Sequence, residues 1–399
     1  MKLFKSLLIA PAALGLLAPL AASASEANLN DISNYSDVDS IDFANSFNKD
    51  EANNNQLIAG GEGLVSDSSY DGGFSQTTTA SFSADFYLGA VDAGTAATNY
   101  PIMATYGFQI DLNTSFSGED SLDISLDAGN TTTSTKSVEE FDGNATVDAL
   151  QVDGVSYTFP LGGATVFVAD NGDASALFTT ACTYGGPTNT LDDCGNVNAG
   201  PTGGGVAFGS SYDFGNGFAV AAGYQANGAA VEENQGIMTD ESTDTIAVNG
   251  SYTGSNYGVS ITYASVEDGV GVTNNMGAEK EDTYTAFNGY FTPEGEGLPS
   301  ISVGYEVGDD ASAGTTADEI TSFFVGLQWD EAFGPGSFGL AAGHSSTAED
   351  ADEDYMYEAY YAYPVNDGMT ITPVIYTKES STTGTDDTTG FIVKTSFSF

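Results

Sequence analysis

The chain of 399 residues carries 56 acidic side chains against seven lysines and no arginine, a formal net charge of −49. That balance excludes recognition of nucleic acid or anionic headgroups through a basic patch. High charge with modest hydrophobicity also marks disorder, but 12% aromatic residues and 49 glycines spread along the chain do not fit that class. The abundance of Tyr and Phe and the scarcity of Leu favour strand over helix.

Residues 1–24 read as a Sec signal peptide: Lys2 and Lys5, an apolar run over 7–22, then Ala22-Ser23-Ala24, with cleavage expected after Ala24 or Ser25. Pro11 and Pro19 interrupt the run and argue against an anchor helix. No later stretch approaches the roughly 18–20 apolar residues that a spanning helix needs. Residues 25–73 are polar and acidic, with Ser40 placed to cap two helical turns over 40–47. We expect them to form a flexible or periplasmic segment outside the main domain, which occupies 74–399.

From Phe74 onward the dominant pattern is period-2 alternation, the mark of strands with one apolar and one polar face. The spacing predicts strands over 80–89, 104–116, 121–129, a less regular one within 146–161, and 164–169. Eleven more follow over 206–214, 218–226, 244–252, 257–266, 282–291, 299–308, 318–329, 337–345, 354–363, 369–378 and 388–399. In 257–266, Tyr257, Val259, Ile261 and Tyr263 alternate against Gly258, Ser260, Thr262 and Ala264. The closing strand sets Phe391, Val393, Phe397 and Phe399 against Gly390, Lys394 and two serines.

The connections alternate as well. Short turns over 117–120, 162–163, 215–217, 253–256, 292–298, 331–336 and 364–368 lie between longer, acidic loops such as 90–103, 130–145, 170–205, 227–243 and 267–281. Short turns on one side and long loops on the other imply an all-β, 16-stranded antiparallel transmembrane β-barrel, with periplasmic turns and extracellular loops. Closure removes the sheet edges that so many hairpins would otherwise expose.

The leader MKLFKSLLIAPAALGLLAPLAASA, the first strand TTTASFSADFYLGA, the segment VSYTFPLGGATVFVAD and the terminal Phe resemble the porins of marine cyanobacteria, which are related to the carbohydrate-selective porin family. The resemblance implies an outer-membrane location, a homotrimer, and a third loop that folds inward to narrow a channel. It implies that Phe397 and Phe399 act as an assembly signal for the barrel-assembly machinery. Family members usually place a surface-layer-homology domain before the barrel. Here 26–73 is too short for one, and only SDVDSIDFANSF resembles its opening.

The third long loop, 170–205, holds both cysteines, Cys182 and Cys194. In an exported chain they are expected as a disulfide, stabilising by roughly 3 kcal/mol in the chain-entropy view. Alternation points Asp85, Asp111, Asp123, Asp127, Glu306, Glu358 and Lys394 to the lumen. Many general porins set a row of arginines across from loop acids, which this chain cannot build; an acidic ring favours cations. We therefore expect a wet diffusion channel for ions and small hydrophilic solutes, with a cation preference. Small residues at Gly258, Ala264, Gly339, Ala341 and Gly343 are expected to leave room for water.

Lumen-side Tyr87, Tyr284, Tyr290 and Tyr360 keep a saccharide pathway open, and a non-conducting surface-display barrel is the rival class. Tyr355, Tyr357, Tyr361 and Tyr363 are expected on the lipid face near one interface. No catalytic site is expected: the single histidine, His344, turns toward lipid beside Ser345 and Ser346 with no orienting partner. No cofactor is expected. Asp170–Asp173 and the acids of 350–354 lack EF-hand spacing, although divalent cations could bridge loop carboxylates.

Overall fold

The structure, a computed structural model, describes residues 77–399 apart from 93–101, 132–139, 142, 202–204, 227–236, 240–242, 269–279, 296, 310–318, 350 and 382–383. The expected leader and acidic segment, residues 1–73, lie outside the described residues. Sixteen strands run in chain order: β1 Thr78–Asp92, β2 Met103–Thr114, β3 Ser121–Gly129, β4 Gln151–Leu161, β5 Ala164–Gly172, β6 Gly205–Asp213, β7 Phe218–Ala226 and β8 Asp244–Thr253. They continue as β9 Tyr257–Asp268, β10 Lys280–Phe291, β11 Ser300–Asp309, β12 Glu319–Asp330, β13 Ser337–Ala348, β14 Met356–Asn366, β15 Met369–Lys378 and β16 Thr388–Ser398.

Each strand pairs antiparallel with its sequence neighbours, and β16 pairs with β1, so the sheet closes into a barrel. The seam is completed by the last residue: Phe82 N–H donates to the Phe399 carbonyl at 2.8 Å and Phe399 N–H to the Phe82 carbonyl at 3.0 Å. The two rings stack at 5.6 Å. The 16-stranded antiparallel barrel expected from the sequence is the fold observed.

Alternation sets the polarity of the two faces. Phe86, Leu88, Val220, Ile246, Val259, Ile261, Phe287 and Val303 all stand exposed on the outer face, while Asn249, Ser260, Thr262, Ser302 and Ser322 are buried on the inner one. This inversion of the usual arrangement is what a barrel in hydrocarbon requires. Aromatic clusters ring the short-turn end: Phe116–Tyr157–Phe159, Tyr212–Phe214, Phe218–Tyr252–Tyr257 and Trp329–Phe333–Phe338. Such girdles place amphipathic rings at a membrane–water boundary.

Two expectations need correction. The fourth strand falls within 146–161 as expected, over Gln151–Leu161, and its pairing with β3 slips between Ser125 and Leu126, which leaves Asp153 as an extra residue. The Asn171 side-chain amide covers the freed Asp153 carbonyl, and β5 accordingly runs on to Gly172 rather than ending at 169. The four tyrosines around β14 do not share one boundary. Tyr355 precedes the strand at its long-loop end, whereas Tyr361 and Tyr363 pair near the short turn. The eight residue steps from Tyr355 to Tyr363 span about 26 Å of extended chain, so they serve opposite rims.

The β2–β3 turn is built on one carboxylate. Asp120 accepts from Ser115 Oγ (2.9 Å), Phe116 N (3.0 Å), Ser117 N (2.7 Å), Ser117 Oγ (2.7 Å) and, from β4, the Tyr157 hydroxyl (2.6 Å). These hydrogen bonds, those of Ser117 and Tyr157 foremost, hold its pKa well below the usual carboxylate range. A lowered folded-state pKa contributes stability that is complete above the unfolded value of about 4 and fades as the pH falls through the folded one. Asp120→Ala should therefore lower the urea midpoint of the micelle-refolded barrel at pH 7, followed by fluorescence of the single tryptophan, Trp329. The gap from the unaltered chain should narrow in acid; a gap that stays constant down to about pH 2 would assign the effect to turn geometry instead.

Candidate channel constriction

The loop between β5 and β6 does not extend away from the barrel. It lies inside the lumen, against the wall from β7 to β14, because polar side chains on that wall meet its backbone strand by strand. Gln225 on β7 accepts from Ala174 N (3.0 Å), and Asn249 on β8 both accepts from Thr179 N (3.1 Å) and donates to its carbonyl (3.2 Å). Ser260 on β9, Ser302 on β11 and Gln328 on β12 accept from Ala181, Thr183 and Gly185 N, each at 2.9 Å. On the return limb Asn288 of β10 donates to the Cys194 carbonyl (2.8 Å) and Ser322 of β12 to that of Gly195 (2.9 Å). The expected disulfide between Cys182 and Cys194 joins the two limbs, its Cα atoms 6.5 Å apart.

Two glutamates fix this loop. Glu306 on β11 accepts from Asn198 N (2.9 Å), Ala199 N (2.8 Å) and Asn198 Nδ2 (2.7 Å). Glu358 on β14 accepts from the Tyr184 hydroxyl at 2.6 Å. Tyr184 packs against Phe324 and Tyr360, centroids 5.4 and 5.7 Å apart, and burial, reinforced by Glu358, pushes its hydroxyl pKa well up. The tip is held from the opposite side by the second loop. Glu140 accepts from Thr190 N and Oγ1, both at 3.0 Å, and pairs with Lys378 of β15 at 3.5 Å. Phe141 beside it packs between Tyr87 and Tyr376.

Beside the loop lies a polar cleft of about 340 Å³ against β16, β1 and β2, lined by Asp85, Tyr87, Gln109, Lys394, Asn144 and, from the loop, Gly186, Pro187, Asn189 and Asp192. Asp85 and Lys394 form an ion pair at 3.1 Å, with the ammonium 5.7 Å from the Tyr87 ring centroid. Nearer the short-turn end of the same wall, Asp111 accepts from Gln109 and Ser125, both at 2.7 Å, and Asp123 from Asn113 (2.6 Å) and Ser121 (2.7 Å). Asp127 lies on β3 opposite Gln109.

The seven lumen-directed charged residues therefore separate into two sets. Asp85, Asp111, Asp123, Asp127 and Lys394 lie on β1, β2, β3 and β16, away from the wall that carries the loop. Glu306 and Glu358 are covered by it and only 1% and 3% exposed, so they anchor the loop rather than belong to an open acidic ring. The small residues do not leave free space either. Tyr290 lies over Gly258, Tyr360 over Gly339, and Leu191 of the loop against Gly343, while Ala264 and Ala341 are buried. Tyr87, Tyr284 and Tyr360 are likewise buried, 5%, 9% and 3% exposed.

His344 sits near the long-loop end of β13, its Nδ1 2.9 Å from the Ser345 carbonyl and 3.1 Å from Thr347 Oγ1, with its ring edge-on to Tyr355. Among the described residues no group of three or more His, Cys, Asp or Glu side chains is arranged to hold a metal ion. Sequence reasoning did not single out Glu140, Asp192 or the wall ladder. The ladder left a signal, a small polar or amide side chain at an inward position on each of β7 to β11 and at two on β12.

No family model matches the chain, and neither does any curated protein. Solved structures do. OprB of Pseudomonas putida superposes with a TM-score of 0.59 at 12% identity, over 81% of this chain and 94% of that one. OmpF of Salmonella typhi, solved in complex with daunomycin, gives 0.56 at 11% identity over 81% and 97%. A mutant of the porin of Rh. blastica gives 0.51 at 12% identity over 81% and 100%. At such identities the likeness is one of fold: a closed barrel of the porin type.

Replacing Glu306 tests the anchoring. Each buried donor left without an acceptor costs about 1–3 kcal/mol, so Glu306→Ala should free the return limb from the wall. Amide hydrogen exchange at Asn198 and Ala199 is expected to rise at least about tenfold, the factor that 1.4 kcal/mol represents. Protection unchanged from the parent chain would show that the remaining ladder and the disulfide suffice.

Proposed function

We propose that this protein is an outer-membrane diffusion channel that passes ions and small hydrophilic solutes, with a preference for cations. The observation that carries the reading is the third loop, hydrogen-bonded along half the wall so that a polar cleft stays open beside it. A barrel serving only to display loops would have no need of such an internal brace. The apolar outer face and aromatic girdle match a bilayer, and the porin-type fold of the three solved structures supports the same conclusion. Asp111, Asp123 and Asp127 support the cation preference, and Asp85 contributes less because Lys394 neutralises it.

In the same reading Phe397 and Phe399 serve as the assembly signal, and the functional unit is a homotrimer in outer-membrane lipid. The saccharide alternative ranks lower, since Tyr284, Tyr290 and Tyr360 each lie against a glycine of the neighbouring strand, and Tyr87, the one of the four that lines the cleft, has the Lys394 ammonium 5.7 Å from its ring centroid. Planar-bilayer recording under a salt gradient decides between channel and display. The expected result is ohmic single-channel steps with a reversal potential on the cation side. Folded, disulfide-bonded barrel that inserts without conducting would overturn the proposal in favour of surface display.

A further inference from the structure

On β11, Ser302, Gly304 and Glu306 occupy successive buried, inward positions. Ser302 takes the outgoing limb of the third loop at Thr183, and Glu306 takes the return limb at Asn198 and Ala199. Between them the loop backbone rests directly on Gly304. A Cβ built on that glycine would overlap the Cys194 carbonyl oxygen, which also accepts from the Asn288 amide directly across on β10 at 2.8 Å. Cys194 and the following Gly195 have φ of +54° and +73°, the left-handed region that a side chain disfavours. The same arrangement recurs where the loop begins. Gln225 on β7 accepts from Ala174 N at 3.0 Å, and a Cβ on Gly223, the next inward position of that strand, would overlap the Ala174 carbonyl oxygen. At both places an amide side chain holds the loop and a glycine beside it leaves room for a loop carbonyl.

We propose that Gly223 and Gly304 are positioning residues that set the width of the channel, because their bare backbone lets the third loop lie closer to the wall than any side chain would permit. The inference rests on the diffusion-channel reading above. An ordinary van der Waals contact takes about 3.5 Å, and at these two positions the clash is backbone against backbone. The wall strands are hydrogen-bonded on both sides within a closed sheet, so the loop is the partner that yields. It moves off the wall, toward the cleft against β16, β1 and β2. The Cys182–Cys194 disulfide carries a displacement of the return limb over to the outgoing one. Gly326 on β12 differs, since a Cβ there would meet the rings of Tyr184 and Phe324, side chains that can repack without moving the loop backbone.

The test compares single-channel conductance in planar bilayers, and proteoliposome swelling in neutral polyols of increasing size, for the full-length protein and for Gly223→Ala, Gly304→Ala and Gly289→Ala. Gly289 on β10 is the control, because a Cβ there finds its neighbours at 3.5 Å or more. Gly223→Ala and Gly304→Ala should each lower the conductance by roughly a fifth or more and slow the larger polyols more than the smaller ones. A loss of stability alone would not steepen that size dependence. Gly289→Ala should match the unaltered chain. Gly223→Ala, at the other end of the loop, decides the matter if Gly304→Ala does not fold. Conductance and size dependence unchanged in both wall variants, a wider channel in either, or an equal loss in Gly289→Ala overturns the inference and leaves the channel reading standing. Absence of conductance from the unaltered chain overturns both.

Discussion

A backbone that crosses hydrocarbon must find every hydrogen-bond partner within the protein, since no water is there to supply one. In this chain the requirement is met by sixteen strands and one seam, β1 against β16. The remaining architecture depends on that closure. A closed sheet immersed in lipid must turn its apolar face outward, and its inner face then carries an excess of amide, hydroxyl and carboxyl groups. A loop descending into the lumen has the complementary problem, since it brings unpaired N–H and C=O groups. The third loop and the β7–β14 wall answer both together: Gln225, Asn249, Ser260, Ser302 and Gln328 take up the loop's amides.

The barrel was legible in the sequence because its two determinants are local. Period-2 alternation reports which face a residue occupies, and the alternation of short and long connections reports the hairpin topology. The fifth strand ran past its expected end at 169 where a local rule is broken, beside the extra residue Asp153. The constriction was less legible for a physical reason. Alternation says that Glu306 and Glu358 point inward, but not what lies against them. That depends on a loop more than a hundred residues away from Glu306 in the chain. The same ignorance made Gly258 and Gly339 look like empty space, when each lies beneath a tyrosine from the adjacent strand.

Electrostatics in this molecule is a matter of place more than of total. A formal charge of −49 suggests an intensely negative channel, yet exposed charges more than about 10 Å apart are screened from one another at moderate salt. The narrow cleft contains few of the acids. Asp85 there is neutralised by Lys394 and Asp192 lines the loop side, while Glu306 and Glu358 are hydrogen-bonded behind the loop and do not reach the cleft. The bulk of the negative charge acts on solubility and loop hydration.

At five inward-facing glycines among the described residues the ring of the aromatic directly opposite on the neighbouring strand lies over the glycine: Gly258 with Tyr290, Gly308 with Tyr284, Gly339 with Tyr360, Gly390 with Tyr376 and Gly209 with Phe167. In each pair the ring occupies the volume that a Cβ on the glycine would need. Each pair is therefore a single unit of variation. Enlarging the glycine alone displaces a ring into the lumen, and shrinking the aromatic alone uncovers bare backbone. Such contacting partners behave non-additively, so drift among descendants of this sequence should exchange the large and small members together, five compensated swaps that leave the bore of the barrel unchanged.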